Sequence, residues 1–233
     1  MLPAILSNSA NQFFERLTKK DARLIRNAQR IFLSNVFLNL ILYYQGCGVD
    51  GNNTKFPATI SYTIRGGLPL YTNLLVWTAG WRQMMRVWFS KGDQMARTFA
   101  VQMYLVGFST VYLFPVGQGG WRDQVHGALA GLYFIYHGVM FKYLRTTTPF
   151  QIGFYVSFFT FLVQLRQIRK LEVQYEFRTE TNQKKNTTKR KMPVQIQKRL
   201  WWYEFTLMLT ENAMFISFLL GMTSSLKQLR RNY

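Results

Sequence analysis

The sequence predicts an all-α fold: a polytopic membrane protein whose six-helix transmembrane bundle has both termini in the cytosol. Three observations predict it. Apolar residues come in blocks of about 15–20, the length needed for a helix to cross about 30 Å of hydrocarbon. The charges lie between those blocks, and 29 Lys and Arg face only 10 Asp and Glu among 233 residues. The basic residues are also divided unevenly between alternate connections, as in chains that use them for orientation. The mean hydropathy of −0.06 is low for such a protein, because residues 1–30 and a stretch near residues 166–199 are polar.

Taken in order, the chain opens with a basic segment, residues 1–30, read as a cytosolic lead-in or an amphipathic helix on the membrane surface. MLPAILSNSANQFFERLTKK is too polar for a cleavable signal peptide. The first span, Ile31–Gly46, carries Asn35 and Asn39 on one helical face, where they are expected to bond to neighbouring helices. The second, Leu68–Trp88, contains Arg82 and Arg86, whose long side chains are expected to snorkel to one interface. Thr98–Val116, Val125–Leu144, Pro149–Leu165 and Trp202–Met222 complete the transmembrane domain, residues 31–223. A basic tail, 224–233, follows.

The Lys and Arg count sets the orientation. With the loop between the last two spans set aside, fifteen lie on the side of the termini against three opposite, which places the termini in the cytosol. The loop 166–200 is read as an outer loop despite the eleven basic residues between Arg166 and Arg199, since long polar loops translocate with little regard to charge. Two glycosylation sequons, at Asn52 and Asn186, fall on the same outer side.

Ionisable residues at membrane depth are costly and turn toward a cavity or partner. His126 and His137 are eleven residues apart and return to within about 20° of one helical face. Glu204 and Glu211, seven apart, share a face of the last span. These four form the candidate lipid-headgroup or intramembrane polar cluster, with Glu211 expected to pair with a histidine or arginine of another span. Asp123 precedes His126 by three residues, so the two are the catalytic candidates. In that reading the carboxylate orients the imidazole as a general base; in the other, Asp123 caps the fourth span. Gly127, Gly131 and Gly138 lie on one face of that span and are expected to pack it closely on a neighbour.

Other chemistries are excluded. One cysteine, Cys47, and two histidines leave no disulfide framework and no zinc site, so no metal is expected. No glycine fingerprint for a nucleotide cofactor is present, and VGQGGW lacks the Lys-Ser or Lys-Thr of a phosphate loop. The +19 charge flanks apolar spans instead of covering one face, which argues against nucleic acid as a partner.

Three stretches, FPATISYTIRGGLP, DQVHGALAGLYFIYHGVMF and YEFTLMLTENAMFISF, together resemble the outer loop, the fourth span and the last span of the Frag/DRAM/Sfk family of six-span membrane proteins. The last span is most similar to the post-GPI-attachment branch, which takes part in GPI-anchor lipid remodelling. The positions that match are Pro57, Ser61, His126, Glu204 and Thr206. The resemblance implies a lumen-facing role in fatty-acid exchange on GPI anchors in the Golgi or ER, enzymatic or accessory, with a membrane lipid as partner. The alternative is a non-enzymatic subunit that joins partner subunits in a larger membrane complex, at the plasma membrane or in the mitochondrial inner membrane.

Overall fold

Thr18 and Asp21 start the first long helix. The Thr18 hydroxyl accepts from the Asp21 amide at 3.3 Å and the Asp21 carboxylate accepts from the Thr18 amide at 2.8 Å, a reciprocal cap. From there α2 (Lys19–Leu42) runs unbroken, so the basic lead-in and the first predicted span share one helix. The structure is a computed structural model that describes residues 2–48, 58–117, 120–183 and 193–231. Among these residues it is wholly helical in its regular structure, with no strand. Pro57, Asn52 and Asn186 lie outside the described residues.

A short helix α1 (Leu2–Glu15) precedes α2, which ends in a π turn at Tyr43–Cys47. Next come the four-residue α3 (Ile60–Thr63), α4 (Gly67–Lys91) and α5 (Gln94–Phe108), the last ending in a second π turn at Ser109–Leu113. Helices α6 (Gly120–Tyr143), α7 (Thr148–Gln183) and α8 (Val194–Arg231) finish the chain. The six predicted spans fall on α2, α4, α5 with its π turn, α6, α7 and α8. Among the described residues, two helical stretches, Thr148–Leu171 and Val194–Lys227, are long and apolar enough to cross a membrane. Buried Asn35, Asn39 and Asn73, together with Arg82, Arg86 and Arg97, dilute the apolar character of α2, α4 and α5.

The N-terminal segment does not stand apart. Ala10, Phe13, Phe14 and Leu17, in and just after α1, are buried in the main core. Phe13 stacks on Trp88 at 4.4 Å and meets Tyr143 edge-on at 5.7 Å, so α1 closes the end of the bundle where α4 stops and α6 ends. The Ser9 hydroxyl donates to Asp93 at 2.8 Å, and the same Asp93 oxygen caps α5 through the Ala96 amide at 2.8 Å. Lys91 pairs with the buried Asp21 at 3.4 Å. Asp93 thus fixes the start of one helix and holds a second against it. The apolar side chains of Ala10, Phe13, Phe14 and Leu17 are thus covered by protein.

At the other end α7 and α8 outrun their neighbours. Helix α7 has 36 residues and α8 has 38 residues. At about 1.5 Å of rise per residue, each is roughly 55 Å long, well beyond the thickness of about 30 Å of a hydrocarbon core. The polar stretch expected as a loop, 166–200, is helical up to Gln183 and again from Val194. The two helices pack along one another where Gly153 faces Ser217 and where Gly221 faces Phe150, with Thr146 and Phe141 beside it. Only 6% of the apolar window of α7 is buried, against 39% for α8, so α7 lies on the outside of the bundle.

Candidate functional site

A partly open cavity of about 100 Å³ lies between α2, α4, α5 with its π turn, α6 and α8, with α3 at one end. Its polar residues come from distant parts of the chain: Asn35, Ser61, Asn73, Thr110, Tyr133, His137 and Glu211. The remaining lining is aromatic and aliphatic, including Phe32, Trp77, Met84, Met103, Phe134 and Phe218.

Glu211 is the centre of its α3 end. Its side chain is buried and accepts from the main-chain N–H of Ile60 and, at 3.3 Å, from the Ser61 hydroxyl. A short helix inside a connection therefore hangs on an acid of the last helix. The cap of α3 is completed locally by Thr59, whose hydroxyl accepts from the Tyr62 amide at 3.3 Å. Buried main-chain donors demand a partner, and irregular backbone survives inside an apolar bundle only when protein supplies one. This corrects the expectation that Glu211 pairs with a histidine or arginine. Its partners are an amide and a hydroxyl.

His137 lines the same cavity, about two turns from the level of Glu211 as judged by its contact with Phe218, at 4.3 Å between ring centroids. Its Nδ1 lies 2.8 Å from the Tyr133 carbonyl and therefore carries the proton. The ring is packed among Tyr133, Phe134, Phe154, Phe215 and Phe218.

His126 is elsewhere. Its Nδ1 sits 2.7 Å from the Phe114 carbonyl and 3.0 Å from that of Thr110, so it donates into the π turn that ends α5. Asp123 accepts from the Gly117 amide at 2.9 Å, tying down the turn that leads into α6. Carbonyls, in place of the Asp123 carboxylate, orient the His126 imidazole, and the general-base arrangement through Nδ1 is not formed. Glu204 is half-buried on α8 and, like His126, is not part of the cavity lining. Thr206 donates to the Trp202 carbonyl one turn back along its own helix, at 2.8 Å. Of the four residues expected as one polar cluster, His137 and Glu211 line the cavity, and His126 and Glu204 do not.

The glycines of α6 divide as well. A Cβ at Gly138 would stand 2.9 Å from the Tyr155 hydroxyl and one at Gly127 would stand 3.1 Å from the Arg169 guanidinium, both on α7. At Gly131 nothing lies within 4 Å, so close packing is not its role. Gly107 of α5, itself in the cavity lining, is closely approached: a Cβ there would meet the Tyr133 and Trp77 rings at 2.7 and 2.9 Å. A lone glycine in an apolar helix gives no advance sign of that. Asn35 and Asn39 bond to each other at 3.1 Å instead of across helices. Asn73, also unremarked in the sequence, accepts from the Tyr112 hydroxyl and joins α4 to the α5 turn.

No family model matches the chain, and neither the curated proteins nor the solved structures contain a match.

Proposed function

We propose that this chain is a six-span integral membrane protein, with both termini in the cytosol, that serves GPI-anchor lipid remodelling on the non-cytosolic side as a lipid-handling accessory. The observation that carries the membrane reading is a contrast between inside and outside. The bundle interior holds the buried polar groups, while large apolar side chains face outward on every long helix. Phe37 is 58% exposed, Leu75 72%, Leu105 53%, Ile135 54%, Phe159 63% and Ile216 50%. An apolar exterior of that extent calls for lipid or another protein around it. Arg82 and Arg86 lie exposed at the end of α4 near Lys91, where snorkelling reaches the cytosolic interface.

The link to GPI-anchor lipids comes from the resemblance of the outer-loop and last-span motifs. Ser61 and Glu211, which lie within those stretches, meet at the cavity. An accessory role is favoured over catalysis because Asp123 and His126 are spent on holding turns. The test is the acyl composition of surface GPI anchors, measured by mass spectrometry after deletion of the gene and after rescue with Glu211→Ala. Altered chain composition in the deletion, not restored by the variant, supports the reading. Unchanged composition in the deletion removes it.

The second reading, a subunit of a larger membrane complex, is favoured by α7, whose apolar window is 6% buried. It predicts a stoichiometric partner after gentle detergent extraction, with photo-crosslinks from Phe159 and Val163 to that partner.

A further inference from the structure

We infer that the outward face of α7 binds an anionic phospholipid of the leaflet at that helix's C-terminal end, with Arg166, Arg169 and Lys170 holding the headgroup phosphate. The inference rests on the membrane-embedded reading above and not on the GPI pathway.

The exposed residues of α7 follow one repeat. Ile152, Tyr155, Val156, Phe159, Leu162 and Val163 are exposed, at spacings of three, one, three, three and one. Arg166, Arg169 and Lys170 continue the series and are exposed as well. Residues three and four apart share a helix face, so a single stripe runs along α7, apolar first and cationic after. The change comes at a definite height. Helix α7 begins at Thr148, and Arg166 lies eighteen residues further on, about 27 Å away at about 1.5 Å of rise per residue. A hydrocarbon core is about 30 Å thick, with roughly 5–8 Å of headgroup region on either side. The three cations therefore stand among the headgroups of the far leaflet, and Phe159, Leu162 and Val163 face its acyl chains.

Helix α8 changes character at the same height. Gly153 of α7 faces Ser217 of α8. Fifteen residues onward along α7 and fifteen back along α8, buried Ile168 stands level with Trp202. Trp201 and Trp202 are exposed there, and exposed Lys198 and Arg199 lie within the next turn. Tryptophan gathers at the membrane–water boundary, so both helices place that boundary at one level.

Charge selects the lipid. Arg166, Arg169, Lys170, Lys198 and Arg199 form no ion pair among the described residues. The Arg169 guanidinium lies against α6 at Gly127, where a Cβ would stand 3.1 Å from it, so this cation is positioned by a glycine and not by an acid. Cations without acids at headgroup level draw their counter-charge from lipid, and arginine meets phosphate with paired N–H donors. A zwitterionic headgroup brings an ammonium with its phosphate, which offsets the attraction; an anionic headgroup does not. The apolar part of the stripe contacts either lipid equally, so selectivity resides in the three cations.

The test uses full-length protein in nanodiscs of equal parts phosphatidylglycerol and phosphatidylcholine with identical tails. A benzophenone amino acid replaces either Val163 on the stripe or Leu105, exposed on α5, and lipid adducts are counted by mass spectrometry after illumination. A basic residue near an anionic surface is worth about fivefold in binding. At position 163, phosphatidylglycerol adducts should therefore exceed phosphatidylcholine adducts about fivefold or more, and at position 105 the two should be about equal. Combining Arg166→Gln, Arg169→Gln and Lys170→Gln should bring the ratio at 163 to near one. Arg166→Lys with Arg169→Lys keeps the charge and should preserve the preference. Equal adducts at 163 in the otherwise unaltered protein, or a ratio that the glutamine variant leaves unchanged, overturn the inference and leave the membrane reading intact. Crosslinks from 163 to a protein partner in native membranes, in place of lipid, overturn it as well. Absence of lipid adducts at both positions overturns the membrane reading itself.

Discussion

Replacing Glu211 by alanine should detach α3 from the bundle, and the structure sets the size of the effect. The substitution leaves the buried Ile60 amide without its acceptor and removes the partner of the Ser61 hydroxyl. An unsatisfied buried donor costs about 1–3 kcal/mol, and the loss of an ordinary hydrogen bond about 0.5–1.5 kcal/mol. Together the loss is about 2–4 kcal/mol, which for a chain of this size lowers Tm by about 4–16 °C. Glu211→Gln keeps an oxygen acceptor and should cost less than about 1.5 kcal/mol. Glu211→Leu restores bulk without an acceptor, so it should resemble the alanine variant. The assay is thermal melting of purified full-length protein in detergent, with hydrogen exchange over residues 58–64 as the local readout. The alanine and leucine variants should melt early and exchange fast across α3, with glutamine near wild type. A leucine variant melting at or above wild type, with α3 still protected, would refute the claim that the carboxylate holds the α3 amide.

Other expectations follow from the same contacts. Phe13→Ala removes a fully buried ring stacked on Trp88 and should cost about 3–5 kcal/mol, with α1 exchanging ahead of the rest. His126→Ala leaves the Thr110 and Phe114 carbonyls without their shared donor and should lower stability by about 1–3 kcal/mol, as read by chemical melting. Gly107→Ala forces the Tyr133 and Trp77 rings to move and should destabilise by about 1–3 kcal/mol, as read by chemical melting. Gly131→Ala, with open space around it, should be neutral or stabilising by up to about 1 kcal/mol in the same assay.

The helical architecture was legible in the sequence because each apolar block is long and bounded by charge, and all six blocks are helical here. Their ends were not. Hydropathy located the first block at Ile31, yet the Thr18–Asp21 cap lets α2 begin at Lys19, since basic residues suit a helix as well as an apolar run does. The same reasoning hid the extension of α7 to Gln183. Local pattern does reveal that α1 is amphipathic. What its apolar face meets depends on Trp88 and Tyr143, which lie far along the chain and leave no mark on the local pattern.

The site was legible in part. Burial of Glu211 follows from its place in an apolar helix, but its partner lies in a four-residue helix within a connection, too short for any periodicity to mark. Spacing put Asp123 near His126 and said nothing of the carbonyls at the end of α5, because a helix that ends in a π turn presents unsatisfied oxygens only once its backbone is known. Three glycines on one face read as one packing stripe, yet Gly131 has open space before it, because how closely α7 approaches α6 depends on its own side chains.

The central claim, six crossings around a buried Glu211 with both termini on one side, is tested most directly by single-cysteine accessibility. In a Cys47→Ser background, cysteines introduced at the exposed positions Gln12, Ser90, Lys198 and Lys227 are labelled in sealed membrane vesicles of known sidedness with a membrane-impermeant maleimide. The account predicts that positions 12, 90 and 227 label together from the cytosolic face and that 198 labels only from the opposite face. Labelling of 198 from the same face as 227, or of 12 from the face opposite 227, would contradict it.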